Sequence, residues 1–298
     1  MKQAMLLACA LAIPAVSFSQ QTSRPAITGV AFARFYTTDL PAAQHFYGST
    51  LGFVGRESDG KWVYPVNRSQ WLEIVPATPP HANLRMAAVG FTTRDASALQ
   101  KYLSAKGVAI EQPLKDGEFA VRDPEGNLIY FVQRDSNSAV AHSSPAPNAV
   151  SHRIIHVGFM IQNHAKEDAF WQGILGFHPY WHGGHTDTAL DWYMVQVPDG
   201  SDWLEYMFNA GPSPTLQKAG VDDHFSLGVD HISDLVAALA RIHCEGNCTR
   251  TVTGRDGKTQ IGLFDPDHTR AEIMEFTPVR EPCCSPFTGK TPTDEEDR

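Results

Sequence analysis

The sequence predicts an α+β protein made of four βαβββ modules arranged as two tandem domains. Three observations carry that expectation. The chain repeats itself at a distance of roughly 125 residues: DLPAAQHFYGSTLGFVGR (39–56) returns as AKEDAFWQGILGFHPYW (165–181), QWLEIVPA (70–77) as DWLEYMFN (202–209), and RDPEGNLIYF (122–131) as FDPDHTRAEIM (264–274). Each half runs strand, short helix, then strands separated by turn signals, and then starts the same order again. The 298 residues, 42% of them hydrophobic, are enough for two ordinary cores, and SNSAVAHSSPAPNAV (136–150) between the repeats has the composition of a linker.

Taken in order, Lys2 followed by an apolar run from Ala4 to Val16 and then Ser17-Phe18-Ser19 reads as an export signal over residues 1–20. The run is too short to span a bilayer, so a soluble exported protein, periplasmic or secreted, is expected, with no membrane partner. Domain one then occupies 26–135, a linker 136–151, domain two 152–278, and a Pro/Thr/acid-rich tail, expected to be disordered, 279–298. The opening strands are ITGVAFARFYTT (27–38) and RIIHVGFMI (153–161), each leading into a short amphipathic helix that stops at the Gly of LGF. Second halves begin with MAAVGFTTRD (86–95) and HFSLGVD (224–230), continue through helices at 98–107 and 234–246, and end in hairpins on the DPEG and DPDH turns. GFHPYWHGGHTD, with His178, His182 and His185, reads as a loop, and Trp181, Trp192 and Tyr193 as packing residues.

The composition excludes a disordered, collagen-like or disulfide-scaffold protein. A formal charge of −9 without a Lys/Arg block argues against nucleic acid as a partner and leaves a small molecule. Beyond the signal, Cys244, Cys248, Cys283 and Cys284 remain. Their spacing matches no CxxC metal motif, so disulfides that tie the tail to the second domain are expected, with the connectivity open.

The FY-x3-LGF stretch (Phe46–Phe53), its FW-x3-LGF counterpart (Phe170–Phe177) and the two DP turns resemble the vicinal oxygen chelate (VOC) superfamily: glyoxalase I, extradiol dioxygenases, fosfomycin and bleomycin resistance proteins. The resemblance covers about residues 26–135 and 152–278. It implies two glyoxalase-like domains, each a curved sheet of two modules cupping a divalent metal, and leaves open whether modules pair within one chain or across a homodimer. Carried over by position, the metal ligands fall on His156, Glu205, His224 and Glu272. The residues support this independently: His156 alternates with Ile154, Gly158 and Met160, Glu205 with Trp203 and Met207, and Glu272 with Met274. Charged or imidazole groups on apolar faces need partners, and one cation could serve all four. Glu275, three residues further along its strand, faces the other way. In domain one the corresponding places hold Phe32, Val89 and Tyr130, and only Glu73 survives, so that half is expected to be metal-free.

Two His and two carboxylates suit Zn, Ni, Mn or Fe(II) and leave room for a substrate with neighbouring oxygens. By resemblance to glyoxalase I, the expected chemistry is proton transfer α to a carbonyl, of lyase or isomerase type, with Glu272 as base and Glu205 as second choice. Met160 stands where glyoxalase I carries a basic residue for glutathione, which points to a different small substrate. An extradiol Fe(II) dioxygenase is the alternative. It would need His156, His224 and Glu272 only, but its acid–base His and Tyr positions hold Asn209 and Gly262. A non-catalytic small-molecule binding protein is the third reading.

Overall fold

The computed structural model describes residues 23–79, 84–133, 146–211, 213–241 and 248–294. The expected export signal, most of the linker and Cys244 fall outside the described residues. The first half contains β1 (Ile27–Thr37), α1 (Leu40–His45, continued by a π-helical turn over Phe46–Thr50), β2 (Arg56–Ser58), β3 (Lys61–Pro65) and β4 (Trp71–Pro76). It then repeats the order with β5 (Met86–Thr93), α2 (Ala96–Ala105), β6 (Ile110–Lys115), β7 (Glu118–Arg122) and β8 (Leu128–Gln133). The second half opens with β9 (Ile154–Met160), α3 (His164–Asp168, with a π-helical turn over Ala169–Ile174), β10 (His178–Gly183), β11 (Trp192–Gln196) and β12 (Trp203–Met207). It closes with α4 (Leu216–Asp222), β13 (His224–Val229), α5 (Ile232–Arg241), β14 (Val252–Thr253), β15 (Thr259–Phe264) and β16 (Arg270–Glu275).

Each half forms one eight-stranded sheet, in the orders β2-β3-β4-β1-β5-β8-β7-β6 and β10-β11-β12-β9-β13-β16-β15-β14. The antiparallel pairs β1–β5 and β9–β13 join the two modules of each sheet, so modules pair within one chain. Asp39, Asp95 and Asn163 cap α1, α2 and α3, which is why each helix starts where the sequence places an Asp or Asn before an apolar run.

The helix-covered faces of both sheets share one core, in which Phe91 meets Trp171 and Phe177 edge-on at 5.4 and 5.3 Å, and Phe35 meets Phe225. The two DP turns reach across in opposite directions. Asp267 accepts from the Thr37 and Thr38 hydroxyls and the Thr38 N–H, while Glu125 accepts from the Gln162 and Asn163 N–H groups. The other face of each sheet curls into a cup with its own apolar lining: Phe32, Trp71, Ala88 and Tyr130 in the first, Ile155, Tyr180, Trp203 and Met274 in the second.

Several expectations are corrected here. A bulge in β9 pairs His156 with Ser226 and Ile154 with Leu227, leaving Ile155 over. Ile154 therefore packs in the shared core, and Ile155, not Ile154, joins His156 in the cup. A register shift at the same place in β1 separates Val30 from Ala31 and Phe32. Register also reassigns one equivalence. Arg34 pairs with Ala88 as Gly158 pairs with His224, so Ala88, not Val89, is the counterpart of His224. His178 and His182 lie on β10, an edge strand rather than a loop. The tail, expected to be disordered, is laid along the second domain through residue 294. Trp181 Nε1 donates to the Cys283 carbonyl, Lys290 N donates to Gln196 Oε1, and Phe287 packs on Tyr180. Its two cysteines are joined to each other, Cys283 to Cys284, rather than to the domain beneath; backbone contacts and the Phe287 ring hold it instead. Among the described residues no helix is long and apolar enough to cross a membrane.

Candidate metal centre

Four strands that meet at the middle of the second sheet each contribute one donor. β9 and β13 lie side by side and bring His156 and His224 to the same cup, while β12 and β16 flank them with Glu205 and Glu272. The two imidazoles are fully buried, and the carboxylates are 6% and 3% exposed. Gly158 makes the crossing possible. It lies opposite His224, and an added Cβ would run into the His224 ring.

The donor atoms converge. His156 Nε2 lies 3.0 Å from His224 Nε2, 3.3 Å from Glu272 Oε2 and 3.6 Å from Glu205 Oε2, and His224 Nε2 lies 3.3 Å from Glu205 Oε2. Donors about 2.1 Å from a common cation are ~3.0 Å apart at right angles and ~3.4 Å apart in a tetrahedron. The His156–His224 and His156–Glu272 separations lie in that range, and one donor atom each from His156, His224 and Glu272 falls within 4.8 Å of the others, so these three fit a divalent ion, with Glu205 beside them. His224 Nδ1 donates to the Asp222 carbonyl at 2.9 Å, which leaves the Nε2 lone pair facing the cup. Behind His156 the Trp203 indole stacks at 4.7 Å, and Lys258 Nζ sits 4.6 Å from the far ring's centroid.

Burial lowers the basicity of both imidazoles. His224 is pushed down to about 4 by burial and then by Arg270, and His156 is lowered by burial against the pull of Glu272 and Glu205. Both are therefore neutral, as ligands must be. The carboxylates differ. Burial raises Glu205 to about 7, whereas for Glu272 the burial effect is outweighed by Arg270 and His156, which hold it well below the usual carboxylate range.

Of the four residues named from sequence, His156, His224 and Glu272 each bring one donor atom within 4.8 Å of the others, while Glu205 approaches the two imidazoles from beside that set. Glu275 points away, as expected, and accepts from the Ile232 N–H at the start of α5. Asn209 takes a hydrogen bond from Lys218 outside the cup. Gly262 lies opposite Glu272, with Thr249 and Arg270 the neighbours of a would-be side chain. His182 and His185 lie outside the cup, against Tyr193 and Trp192.

Sequence reasoning missed Arg270, whose guanidinium lies 3.1 Å from Glu272 Oε1 and 2.9 Å from His224 Nε2. Its signal was available: two residues before Glu272 on a strand is the same face. It also missed the roles of Trp181 and Trp192, which line a cavity that opens onto Glu205 and Glu272.

The model of the Glyoxalase/Bleomycin resistance protein/Dioxygenase superfamily matches residues 29–131 and 153–273. No curated protein sequence matches the chain. Among solved structures, homoprotocatechuate 2,3-dioxygenase from Brevibacterium fuscum superposes with a TM-score of 0.62 at 16% identity, over 85% of this chain and 82% of that one. The 2,3-dioxygenase LapB from Pseudomonas sp. KL28 gives 0.63 at 18% identity, over 87% and 97%. Homoprotocatechuate 2,3-dioxygenase from Arthrobacter globiformis gives 0.62 at 17%, over 87% and 84%. At these identities the likeness is one of fold.

Proposed function

The chain belongs to the Glyoxalase/Bleomycin resistance protein/Dioxygenase superfamily, and on that premise we propose that its second cup is the metal centre of an enzyme moving a proton α to a carbonyl, of lyase or isomerase type. The observation that carries this reading is the convergence of two buried imidazoles and the Glu272 carboxylate on one point, with the Glu205 carboxylate within 3.6 Å of both imidazoles. His156, Glu205, His224 and Glu272 would hold one divalent ion, Zn, Ni, Mn or Fe(II). When bound, that ion supplies Lewis acidity to a substrate's neighbouring oxygens.

The chain's own residues do the rest. Burial in the cup excludes water and strengthens every charge interaction there. Of the two carboxylates, Glu205 is the better proton carrier, in place of the sequence preference for Glu272. Glu272 is pinned by Arg270 and belongs to the convergent donor set, while Glu205 has no Arg or Lys ion pair among the described residues and stands beside that set. Residues 1–20 are proposed to act as an export signal.

Elemental analysis of the purified parent beside His156→Ala and His224→Ala tests the centre: one equivalent of metal in the parent and none in the variants. Solvent deuterium entering the CH2 of 2-hydroxyacetophenone, followed by NMR, tests the reaction. Exchange should fall at least ~100-fold in Glu205→Gln, and unchanged exchange overturns the role of Glu205. Ring cleavage is the second reading, favoured by the fold likeness to extradiol dioxygenases. Oxygen uptake with catechol by the Fe(II)-loaded protein, without deuterium exchange, would establish it over the first.

A further inference from the structure

We infer that Arg270 is the substrate-recognition residue of this centre and that it selects a small anion: a compact molecule with two neighbouring oxygens, one of them part of a carboxylate, on a flat apolar body. The inference rests on the proposed metal centre and adds to it the class of ligand.

Arg270 is held in place by two acceptors, Glu272 Oε1 and the lone pair of His224 Nε2. The second of these is the atom that a bound cation would take. In the loaded centre His224 Nε2 is committed, so Arg270 keeps Glu272 and loses its other acceptor. The charge balance moves the same way. Glu205 and Glu272 together offset a divalent ion, and Asp256 in the same cavity is matched by Lys258, which leaves the guanidinium of Arg270, with its side chain only 17% exposed, as positive charge beside the centre. A carboxylate on the substrate meets that need through a charge-assisted, two-pronged hydrogen bond.

The cavity agrees with this. It has a volume of about 210 Å3, below the usual range for drug-sized ligands, and Arg270, Glu205, Glu272 and Asp256 are its charged lining on the side of the centre's strands and the loop before β15, with Arg255 beside them. Trp181, Trp192, Met194 and Met274 form apolar walls suited to a ring or a similarly flat body.

The test uses zinc-loaded full-length protein, with mandelate and its uncharged amide, mandelamide, as probes in titration calorimetry, and the zinc content of each sample measured alongside. Mandelate should bind at least ~10-fold more tightly than mandelamide. In Arg270→Gln that preference should vanish with zinc still bound, and Arg270→Lys should restore part of it. A purely structural role for Arg270 would weaken both probes equally and leave their ratio unchanged, which overturns the inference. Equal binding of the two probes by the zinc-loaded parent also overturns it while leaving the metal centre standing. A parent that takes up no zinc overturns the metal centre and this inference with it.

Discussion

The two cups have the same backbone and opposite solutions to one electrostatic problem. Each places a glutamate on the fourth strand of its first module, Glu73 in domain one and Glu205 in domain two, on a largely apolar face. A buried carboxylate without a partner costs several kcal/mol. Domain one supplies the partner covalently. Arg34, opposite Glu73, pairs with it, Lys61 Nζ lies 3.4 Å away, and Trp71 Nε1 donates at 2.9 Å. Burial would raise the Glu73 carboxyl, yet Arg34 and Lys61 outweigh it and hold Glu73 below its usual range. The guanidinium lies about 5 Å from the Phe32 and Tyr130 rings, the residues that replace His156 and Glu272. Domain two has Gly158 where domain one has Arg34, and His224 where domain one has Ala88. Opposite Glu205 there is thus no counterpart of Arg34, and the imidazole of His224 packs over Gly158 instead, while the cup's own guanidinium, Arg270, pairs with Glu272.

If that exchange of residues is the cause of the difference, the largest effect should come from Gly158→Ala, which replaces no donor residue. The added methyl collides with the His224 ring, and the ring must leave the convergence point. The expected result is a loss of metal affinity of ~100-fold or more, the range seen when supporting residues of metal sites are removed. It is measured by elemental analysis after equilibrium dialysis. Retained affinity would mean that His224 is not a required donor and would break the comparison at its central point.

The next effect belongs to domain one. Glu73→Gln leaves Arg34 buried against aromatic rings without its paired carboxylate, and stability should fall by about 3 kcal/mol. Metal content should be unchanged. The double variant Glu73→Gln, Arg34→Met removes the stranded charge and should recover most of that loss, because a well-packed apolar replacement for a buried ion pair is often neutral. Thermal unfolding of the parent, the single variant and the double variant tests this. A single variant as stable as the parent would show that Arg34 is not compensating Glu73.

Much of this asymmetry was legible before any coordinates. The repeat fixes which positions correspond, and strand alternation alone puts His156, Glu205, His224 and Glu272 on cup faces. What alternation cannot supply is the bulge at Ile155, because a residue left out of the ladder shifts every face before it without any mark in composition. The same blind spot produced Val89 in place of Ala88, a one-residue slip that only the pairing of β1 with β5 corrects. Arg34 and Arg270 were readable as same-face neighbours of carboxylates. Their importance came from distance, and distance between strands far apart in sequence is set by sheet order. The tail misled for a related reason: its Pro/Thr/acid composition describes the chain alone, while Phe287 and the backbone groups of Cys283 and Lys290 find partners on β10 and β11.

The smallest predicted effect lies where the domains touch and again sets one half against the other. The DPDH turn meets hydroxyl donors, with Asp267 on Thr37 and Thr38 and Tyr47 donating to Asp265 at 3.2 Å. The DPEG turn instead meets an acid. Glu167, fully buried, accepts from Trp171 Nε1 at 2.8 Å and from the Glu125 N–H at 3.0 Å, and the position corresponding to Glu167 in domain one is Ala43. Burial, and then the nearby Asp123, raises Glu167 from an ordinary 4.5 to about 8. A carboxyl whose folded value lies above its unfolded one favours the folded state when protonated. Its contribution is complete below about 4.5 and is lost as pH rises through about 8. Glu167→Gln keeps a neutral acceptor for Trp171 at every pH and does not lose that contribution. Its melting temperature relative to the parent should therefore rise by a few degrees between pH 5 and pH 8.5, because over that interval only the parent must ionise a buried group or unfold to do so. A difference that stays flat across the interval would place the Glu167 carboxylate in contact with solvent or an unseen cation, and the two turn contacts would then be electrostatically alike.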